Sequence, residues 1–133
     1  GRKPFIGSWD MIRIDGVTYD VPVVSIQRNA ELLDRMAERT EDGVLTRQVI
    51  GTYYNYTIEW GSIARTDVYN ALYAVMTAPV PFHQIVVPGT SGDYEFTAYI
   101  SSVKDEIKKI HNGKTYWHKL SANFIAKEPA RRA

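Results

Sequence analysis

An alternation of apolar and polar side chains over residues 52–60 constrains the fold of this chain more than any other feature. Successive side chains on a β-strand point to opposite faces of a sheet, so a period of two predicts a strand with one buried face. Gly51 interrupts the alternation, and a β-bulge at that position would restore it. The residues expected to face the core are Tyr54, Tyr56, Ile58 and Trp60, and those expected to face water are Asn55, Thr57 and Glu59.

Two later segments, residues 94–100 and 116–126, show the same alternation. Between them, Asn112-Gly113 accepts the positive φ angles of a type I′ turn and predicts a β-hairpin, as does Asp15-Gly16 near the start of the chain. We expect the charged residues before Asn112 to form an irregular passage. The further core residues predicted by the alternation are Tyr94, Phe96, Ala98, Ile100, Tyr116, Leu120, Ala122, Phe124 and Ala126.

The segment 66–77 has the apolar spacing of an α-helix. Thr66 is a suitable N-cap, and Asp67 lies in the first turn, where a carboxylate interacts favourably with the helix dipole. Pro79 stops the helix. The apolar side chains at helical spacing are Val68, Leu72, Val75 and Met76.

Residues 30–43 allow two interpretations. Their composition favours a helix that ends toward Gly43, whereas the alternation of the preceding strand continues through Leu32 and favours an extended arm with a charged tip. In an extended arm, the apolar side chains would have a partner only on a neighbouring subunit. The candidate interface residues of this segment are Leu32, Leu33, Met36 and Arg39.

Together these elements predict a mainly β (α+β) fold, either an antiparallel β-sandwich or a rolled sheet, flanked by one α-helix. A length of 133 residues and a hydrophobic content of 44% fit a single domain that spans residues 1–133. The sequence has no internal repeat and no linker of biased composition that would divide it.

The charge balance bears on the possible partners. Lys and Arg total 16, and Asp and Glu total 15, in an interspersed pattern, so we expect no specific nucleic-acid binding. No apolar run approaches the roughly 20 residues that span a membrane, so we expect no membrane partner either. The absence of cysteine excludes thiol catalysis, zinc ribbons and disulfides.

Motifs for catalysis or metal binding are missing from the sequence. His83, His111 and His118 do not have the spacing of a metal site or of a poised catalytic base, and we expect structural roles for them. The sequence therefore predicts no catalytic residue, no cofactor and no metal, and the chain is not expected to be an enzyme.

The aromatic residues Tyr53, Tyr99 and Trp117 have the parity opposite to that of the predicted core residues. Exposed aromatics on a sheet suit a subunit interface, where Tyr and Trp are enriched, or a platform on which sugars stack. The first function describes a structural protein, and the second describes a carbohydrate-binding β-sandwich module. We favour the interface and keep the carbohydrate-binding module as the alternative.

Three segments carry a resemblance to a known family: "VPVVSIQRNAELLDRMAERTEDGVLTRQVIGTYYNYTIEWG", "TDVYNALYAVMTAP" and "YEFTAYISSVKDEIKKIHNGKTYWHKLSANFIAKEP". Their order resembles that in small tail-module proteins of long-tailed, siphovirus-like bacteriophages and prophages of Gram-positive bacteria. The likeness runs from Gly16 to Pro129, and its most specific parts are "ERTEDGVLTRQVIGTYYNYTIEWG" and "YWHKLSANFIAKEP".

The resemblance implies a β-sandwich with one flanking helix, similar to the unit shared by tail tube, tail terminator and distal tail proteins. It also implies a structural protein of the virion tail, made in the host cytoplasm. Its partners would be copies of itself, in a ring that is often sixfold, and other tail proteins. The family has no catalytic residues to transfer. A chain of this length is short for a distal tail protein, which favours a tube-like or accessory role.

Overall fold

The computed structural model describes residues 12–39, 41, 43–61, 66–89 and 92–133, without the side chains of residues 35–38 and 46. This part of the chain contains eight strands and one helix. In chain order these are β1 (Arg13–Ile14), β2 (Val17–Thr18), β3 (Val23–Arg39), β4 (Leu45–Trp60), α1 (Thr66–Met76), β5 (His83–Gly89), β6 (Gly92–His111), β7 (Lys114–Ala126) and β8 (Arg131–Arg132). The prediction of a mainly β fold with one flanking helix is confirmed.

All eight strands belong to one sheet, in the order β2-β1-β5-β6-β7-β4-β3, with β8 paired to β4. Every pairing is antiparallel. The sheet rolls, because rings on β4 contact rings on β6 although β7 lies between these strands: the ring centroids of Tyr56 and Phe96 are 5.2 Å apart. At the open seam of the roll, Pro88 and Gly89 of β5 and residues 23–26 of β3 line the same groove.

The inner face of the rolled sheet and one side of α1 enclose the core. Trp60 packs edge-on against Phe124, with ring centroids 6.3 Å apart, and both side chains are almost fully buried. The alternation therefore identified the inner face of β4 correctly, although Tyr54 is only partly buried. The buried hydrophobic residues of the described chain are Ile12, Ile14, Val21, Tyr56, Ile58, Trp60, Tyr69, Leu72, Met76, Ile85, Val87, Phe96, Ala98, Leu120, Ala122, Phe124 and Ala126.

Helix α1 covers the inner face as its apolar spacing predicts, with Leu72 and Met76 buried. Tyr69 joins them and donates a hydrogen bond from its hydroxyl to the Asp105 carboxylate of β6, at 2.9 Å. Burial raises the pKa of Tyr69 well above its ordinary value, and the hydrogen bond to Asp105 and the charge of that carboxylate add to the effect. This contact ties the helix to the middle of β6.

Both predicted turns are present. Asp15 and Gly16 have φ angles of 52° and 82°, and Asn112 and Gly113 have φ angles of 51° and 75°, as a type I′ turn requires. The first turn joins β1 to β2, and the second joins β6 to β7.

The bulge expected at Gly51 is also present. Leu33 pairs with Gly51, but the next residue, Asp34, pairs with Val49, so β4 carries an extra residue there. A Cβ atom on Gly51 would lie 2.4 Å from the carbonyl oxygen of Arg131, far inside the contact distance. Glycine is therefore required at this position because the C-terminal segment approaches the backbone of β4 so closely.

Two expectations for β6 and β7 are wrong. The charged passage before Asn112 is regular strand, because β6 runs without interruption to His111 and accommodates its irregularities as register shifts. Tyr116 was expected in the core, but Trp117 packs against the core instead. The cause is a bulge at Lys119, where φ is 57° and the pairing of β6 with β7 shifts by one residue. The bulge reverses the alternation, so Trp117 lies on the same face as Leu120 and Tyr116 does not.

The helical interpretation of the 30–43 segment is wrong for residues 30–39. Residues 30–39 continue β3 and pair with β4 as far as Arg39 opposite Leu45. The intrinsic helix preference of this segment is worth a few tenths of a kcal/mol per residue, and pairing with an adjacent strand overrides it. The segment is the extended arm of the second interpretation. Thr40 and Asp42 at its tip lie outside the described residues.

Candidate assembly surface

Two long hairpins leave the sheet as ribbons of only two strands. Strand β7 pairs with β4 only over Tyr56–Trp60, and β8 pairs with β4 at Gly51 and Thr52. The N–H of Ala133 also donates to the carbonyl oxygen of Ile50 at 3.3 Å, so among the described residues β4 has β3 alone beside it only before Ile50. Likewise, β6 pairs with β5 only as far as Ala98, and its second half pairs with β7 alone. We call residues 31–47 the β3–β4 arm and residues 104–119 the β6–β7 arm.

The two arms extend from opposite ends of the sheet. In the antiparallel pairing of β4 with β7, Tyr56 lies opposite Phe124 and Trp60 lies opposite Leu120. Each arm contains residues of its strand that precede this paired segment, namely Leu45–Arg47 of β4 and Lys114–Lys119 of β7. Because the strands run in opposite directions, the arms project in opposite directions. At about 3.3 Å per residue, the nine residues from Glu31 to Arg39 extend roughly 30 Å.

The β3–β4 arm is held together by polar contacts between its own strands. Arg47 donates two hydrogen bonds to Asp34, from Nε at 3.0 Å and from Nη2 at 2.8 Å. The hydrogen bond to Asp34 and the charge of that carboxylate raise the pKa of Arg47. Near the tip, Arg39 donates to the carbonyl oxygen of Gly43 at 2.8 Å. These contacts give the arm a defined shape, while its apolar side chains Leu32, Leu33, Val44 and Leu45 stay between 41% and 56% exposed.

The β6–β7 arm is basic toward its tip. The ammonium groups of Lys109 and Lys114 lie 5.2 and 5.6 Å from the ring centroid of Tyr116, within the range of a cation–π contact. Nearer the base, Glu106 is 3.4 Å from His118 Nε2 and 3.8 Å from Lys119 Nζ. Such exposed ion pairs contribute little to stability. Two apolar side chains of this arm, Ile107 and Ile110, are 51% and 68% exposed.

The candidate interface residues do not form one cluster. Leu32 and Leu33 are both exposed, but as neighbours on a strand they point to opposite faces of the β3–β4 arm. Arg39 lies near the tip of this arm, and the Met36 side chain lies outside the described part. The β6–β7 arm was not predicted as a second exposed ribbon, although the excess of lysine around Asn112-Gly113 was a usable signal.

The three aromatic candidates also lie apart. Tyr99 pairs with Ile125 and is 45% exposed, whereas Trp117 pairs with Ile107, eight positions farther along β6, or roughly 25 Å away. Trp117 and Tyr53 are half-buried and pack against the core. Trp117 does so because of the bulge at Lys119. A flat sugar-stacking platform made of these three rings does not fit this arrangement.

The outer face of the rolled sheet carries a polar groove with a volume of about 560 Å³. Strands β3, β4, β6 and β7 line it with hydroxyl, amide and charged side chains, and Thr57 donates to the side-chain oxygen of Asn123 at 2.9 Å. Among the residues that the structure describes, no group of three or more His, Asp or Glu side chains could hold a metal ion.

The histidines are distributed over the fold. His83 is buried, and its Nδ1 donates to the Asp15 carboxylate at 2.7 Å, while the N–H of Gln84 donates to the other oxygen at 2.8 Å. Burial of Asp15 tends to raise its pKa, but these hydrogen bonds and the attraction of His83 together outweigh burial and lower the pKa of Asp15. The pair fastens the β1–β2 turn to β5. His111 lies at the β6–β7 turn and is exposed.

The one helix of the described chain, α1 with 11 residues, is too short to cross a membrane.

No family model matches the chain, and no curated protein matches it in sequence. The solved structures that are similar to it include the following two. One is a chain from the tail of an empty GTA particle, computed with helical refinement and C6 symmetry, with 18% identity, a TM-score of 0.47 and coverage of 100% of both chains. The other is a chain from the virion of a native gene transfer agent (GTA) particle, with 20% identity, a TM-score of 0.43, and coverage of 93% of this chain and 94% of that one.

Proposed function

We propose that this chain is a non-enzymatic structural protein of a phage or prophage tail, which assembles through contacts between subunits into a ring or tube. The sequence resemblance described above gives the class of particle. The two arms support assembly through contacts between subunits. The protein then acts by holding its neighbours in place, and its location is the tail of the virion.

The observation that carries this proposal is the pair of two-stranded arms at opposite ends of the sheet. A two-stranded hairpin alone is marginally stable in water, and it gains stability when a third strand or another surface covers it. Both arms also leave large apolar side chains about half exposed. A partner that covers both arms would stabilise the two-stranded ribbons and bury their apolar side chains. A second copy of the chain is such a partner, and it is present wherever the first copy is.

The free energy available at the arms suits assembly from weakly associating subunits. Full burial of one Leu side chain is worth roughly 1.5–3 kcal/mol, and Leu32 and Leu33 still expose 50% and 41% of their surface. About half of that value therefore remains to be gained at each residue, before the cost of association is subtracted. We expect a subunit that is monomeric when dilute and that forms rings or tubes when concentrated or nucleated by other tail proteins.

Arms at opposite ends favour a head-to-tail contact, in which one surface of each copy meets a different surface of the next. Such contacts generate closed rings or open helical assemblies, according to the rotation between copies. We propose that the interface includes Leu32, Leu33, Met36 and Arg39 on the β3–β4 arm. Trp117 on the β6–β7 arm would contribute its exposed part, and Tyr99 and Tyr53 would lie at the edge of the contact.

The test is a concentration series of the intact chain and of the Leu32→Ser/Leu33→Ser variant, followed by light scattering and electron microscopy. The matched control is Val17→Ser/Val80→Ser, since both valines are 49% exposed and lie outside the arms. We expect the intact chain and the control to form rings or tubes at high concentration, and the arm variant to stay monomeric. The proposal is wrong if the intact chain never associates, or if the arm variant assembles as the control does.

A further inference from the structure

We propose that the β6–β7 arm of one copy binds the β3–β4 arm of the next copy, and that their opposite charges select this pairing over like-arm pairing. This inference rests on the proposed function, because it names the two surfaces that meet when the subunits assemble. It concerns residues 31–47 and 104–119 and no part of the core.

The two arms differ in the sign of their charge. The β3–β4 arm carries five acidic and three basic side chains, a net charge of −2, whereas the β6–β7 arm carries five lysines and two acidic side chains, a net charge of +3 with neutral histidines. The whole chain has a net charge of only +1. The charges are therefore nearly balanced over the molecule but separated between its two ends.

Local contacts reinforce this separation. Both carboxylates of the β6–β7 arm are engaged within their own subunit, Asp105 by the Tyr69 hydroxyl and Glu106 by His118 and Lys119. Toward the tip, residues 107–117 contain three lysines and no acidic residue. On the other arm, Arg47 is engaged by Asp34. Glu31 and Glu41 of that arm are exposed, and Glu31 accepts a hydrogen bond from the Asn29 side-chain amide at 3.3 Å.

Contact between a β6–β7 arm and a β3–β4 arm can repeat from one copy to the next. Because the arms leave opposite ends of the sheet, the β6–β7 arm of one copy can meet the β3–β4 arm of a copy placed beyond it, and this contact can repeat along a line or around a ring. Contact between two β6–β7 arms would bring lysines together, and contact between two β3–β4 arms would bring carboxylates together. Like charges placed opposite each other across an interface repel and so disfavour the contact.

A basic arm with a tyrosine could also bind a nucleic acid, but the exposed side chains favour a protein partner. Ile107 and Ile110 are more than half exposed, and an apolar surface of this kind matches the exposed leucines of the other arm better than a phosphate backbone. The lysine ammonium groups at Tyr116 already lie over its ring, which leaves that ring less available to stack on a base. An anionic polymer is therefore an outcome to be tested against.

Charge reversal in two separate variants gives a specific test. Lys109→Glu/Lys114→Glu makes both arms acidic, and Glu31→Lys/Glu41→Lys makes both arms basic. Alone, each variant should associate about tenfold or more weakly than the intact chain, because every contact between arms then joins like charges. In an equimolar mixture, each arm of one variant again meets an arm of opposite charge on the other. Association should return, with the two variants alternating.

Analytical ultracentrifugation of the intact chain, each variant and the mixture measures these associations at low and high salt. Lys127→Glu and Asp20→Lys serve as control variants: Lys127 is exposed and lies 4.8 Å from the Phe82 ring, a setting like that of Lys109, and Asp20 is exposed outside the arms. The controls should associate as the intact chain does. Salt should weaken the association of the intact chain and of the mixture alike.

The outcomes separate this inference from the proposed function. If the intact chain assembles and the mixture does not recover association, arm-to-arm pairing is wrong while structural assembly stands. The same holds if either variant assembles unimpaired, or if Lys109→Glu/Lys114→Glu loses only its affinity for a short DNA duplex. If the intact chain shows no association at any concentration, the proposed function fails and this inference fails with it.

Discussion

Strand β4 passes through two environments, and its two halves behave differently. From Tyr56 to Trp60 it has a paired strand on each side and a buried inner face, whereas from Leu45 to Val49, in the described part of the chain, it pairs with β3 alone and buries none of its described side chains fully, with Leu45 50% exposed. Gly51, covered by the C-terminal segment, marks the boundary. The comparison teaches that strand pairing alone does not bury side chains. Neighbouring strands and a covering layer do, and in the described part of the subunit the outer half of the β3–β4 arm has neither.

The largest expected effect is in the inner half of β4. Trp60→Ala should lower the free energy of unfolding by about 3–5 kcal/mol, because the side chain is 2% exposed and its loss leaves a cavity beside Phe124. Leu32→Ala, in the arm, should cost only about 0.5–1 kcal/mol in the dilute subunit. Urea unfolding followed by circular dichroism measures both values. Equal losses of unfolding free energy would mean that the arm does not differ from the rest of the sheet with its helix, which we call the body.

A substitution at the boundary should have an intermediate effect. In Gly51→Ala, the new Cβ atom would lie 2.4 Å from the Arg131 carbonyl oxygen and 2.9 Å from the Pro129 Cβ, so the C-terminal segment must move. We expect a loss of about 1–3 kcal/mol and a loss of the β4–β8 pairing at Gly51 and Thr52. Thermal unfolding and amide spectra of residues 130–133 check this. An unchanged C-terminal segment would contradict the close approach.

Substitution of Tyr69 tests how much its hydrogen bond to Asp105, at the base of the β6–β7 arm, stabilises the fold. Tyr69→Phe removes the hydrogen bond to Asp105, which should cost about 1–2 kcal/mol because the acceptor is charged. The raised pKa of Tyr69 gives a pH signature. Its contribution to stability is complete below the unfolded tyrosine pKa of about 10 and declines as the pH rises above it, because the unfolded chain then loses the proton first.

The comparison of Tyr69→Phe with the intact chain is made in alkaline solution. Urea unfolding between about pH 8 and 11 should show a steeper decline for the intact chain than for the variant. If the two chains decline in parallel, the hydroxyl does not hold its proton in the folded state and the link from α1 to β6 is weaker than the geometry indicates.

The smallest effect is expected at the opposite edge of the sheet, where the short β1–β2 hairpin pairs with β5 through β1 and is also held by the Asp15 side chain. The pKa of Asp15 is lowered in the folded state, so its contribution is present above the unfolded pKa of about 3.9 and is lost as the pH falls through the folded pKa. Asp15→Asn should loosen this hairpin at neutral pH. Chemical shifts of the Arg13–Thr18 amides during acid titration measure it, and an acid-induced change that persists in the variant would assign it to another group.

The sequence predicted the body of the molecule well, because alternation is decided by burial and burial is strong there. Tyr56, Ile58, Trp60, Leu120 and Phe124 were identified in this way, as were the two turns at Asp15-Gly16 and Asn112-Gly113. The bulge at Gly51 was predictable too, because glycine is a recognised signal for a bulge or a close backbone approach.

The arms were harder to predict, for physical reasons that differ between them. In the β3–β4 arm, residues with a helical preference are held extended by pairing, which a local pattern does not reveal. In the β6–β7 arm, Lys119 adopts a positive φ angle without being glycine or asparagine, so nothing in the sequence marks the bulge that exchanges Tyr116 and Trp117. The exposed surface was therefore only partly predicted: Leu32 and Leu33 are exposed as an extended arm requires, their role in an interface stays a prediction, and the β6–β7 arm was not predicted.

Hydrogen–deuterium exchange of the dilute and the assembled protein tests the central claim most directly, namely that the arms find their missing partner on a neighbouring subunit. In the dilute subunit, we expect the amides of residues 45–50 and 106–111 to exchange much faster than those of residues 56–60, because the arms open without unfolding the body. On assembly, the arm amides should become protected while residues 56–60 stay unchanged. Arms that are fully protected in the dilute subunit, or that gain no protection on assembly, would contradict the claim.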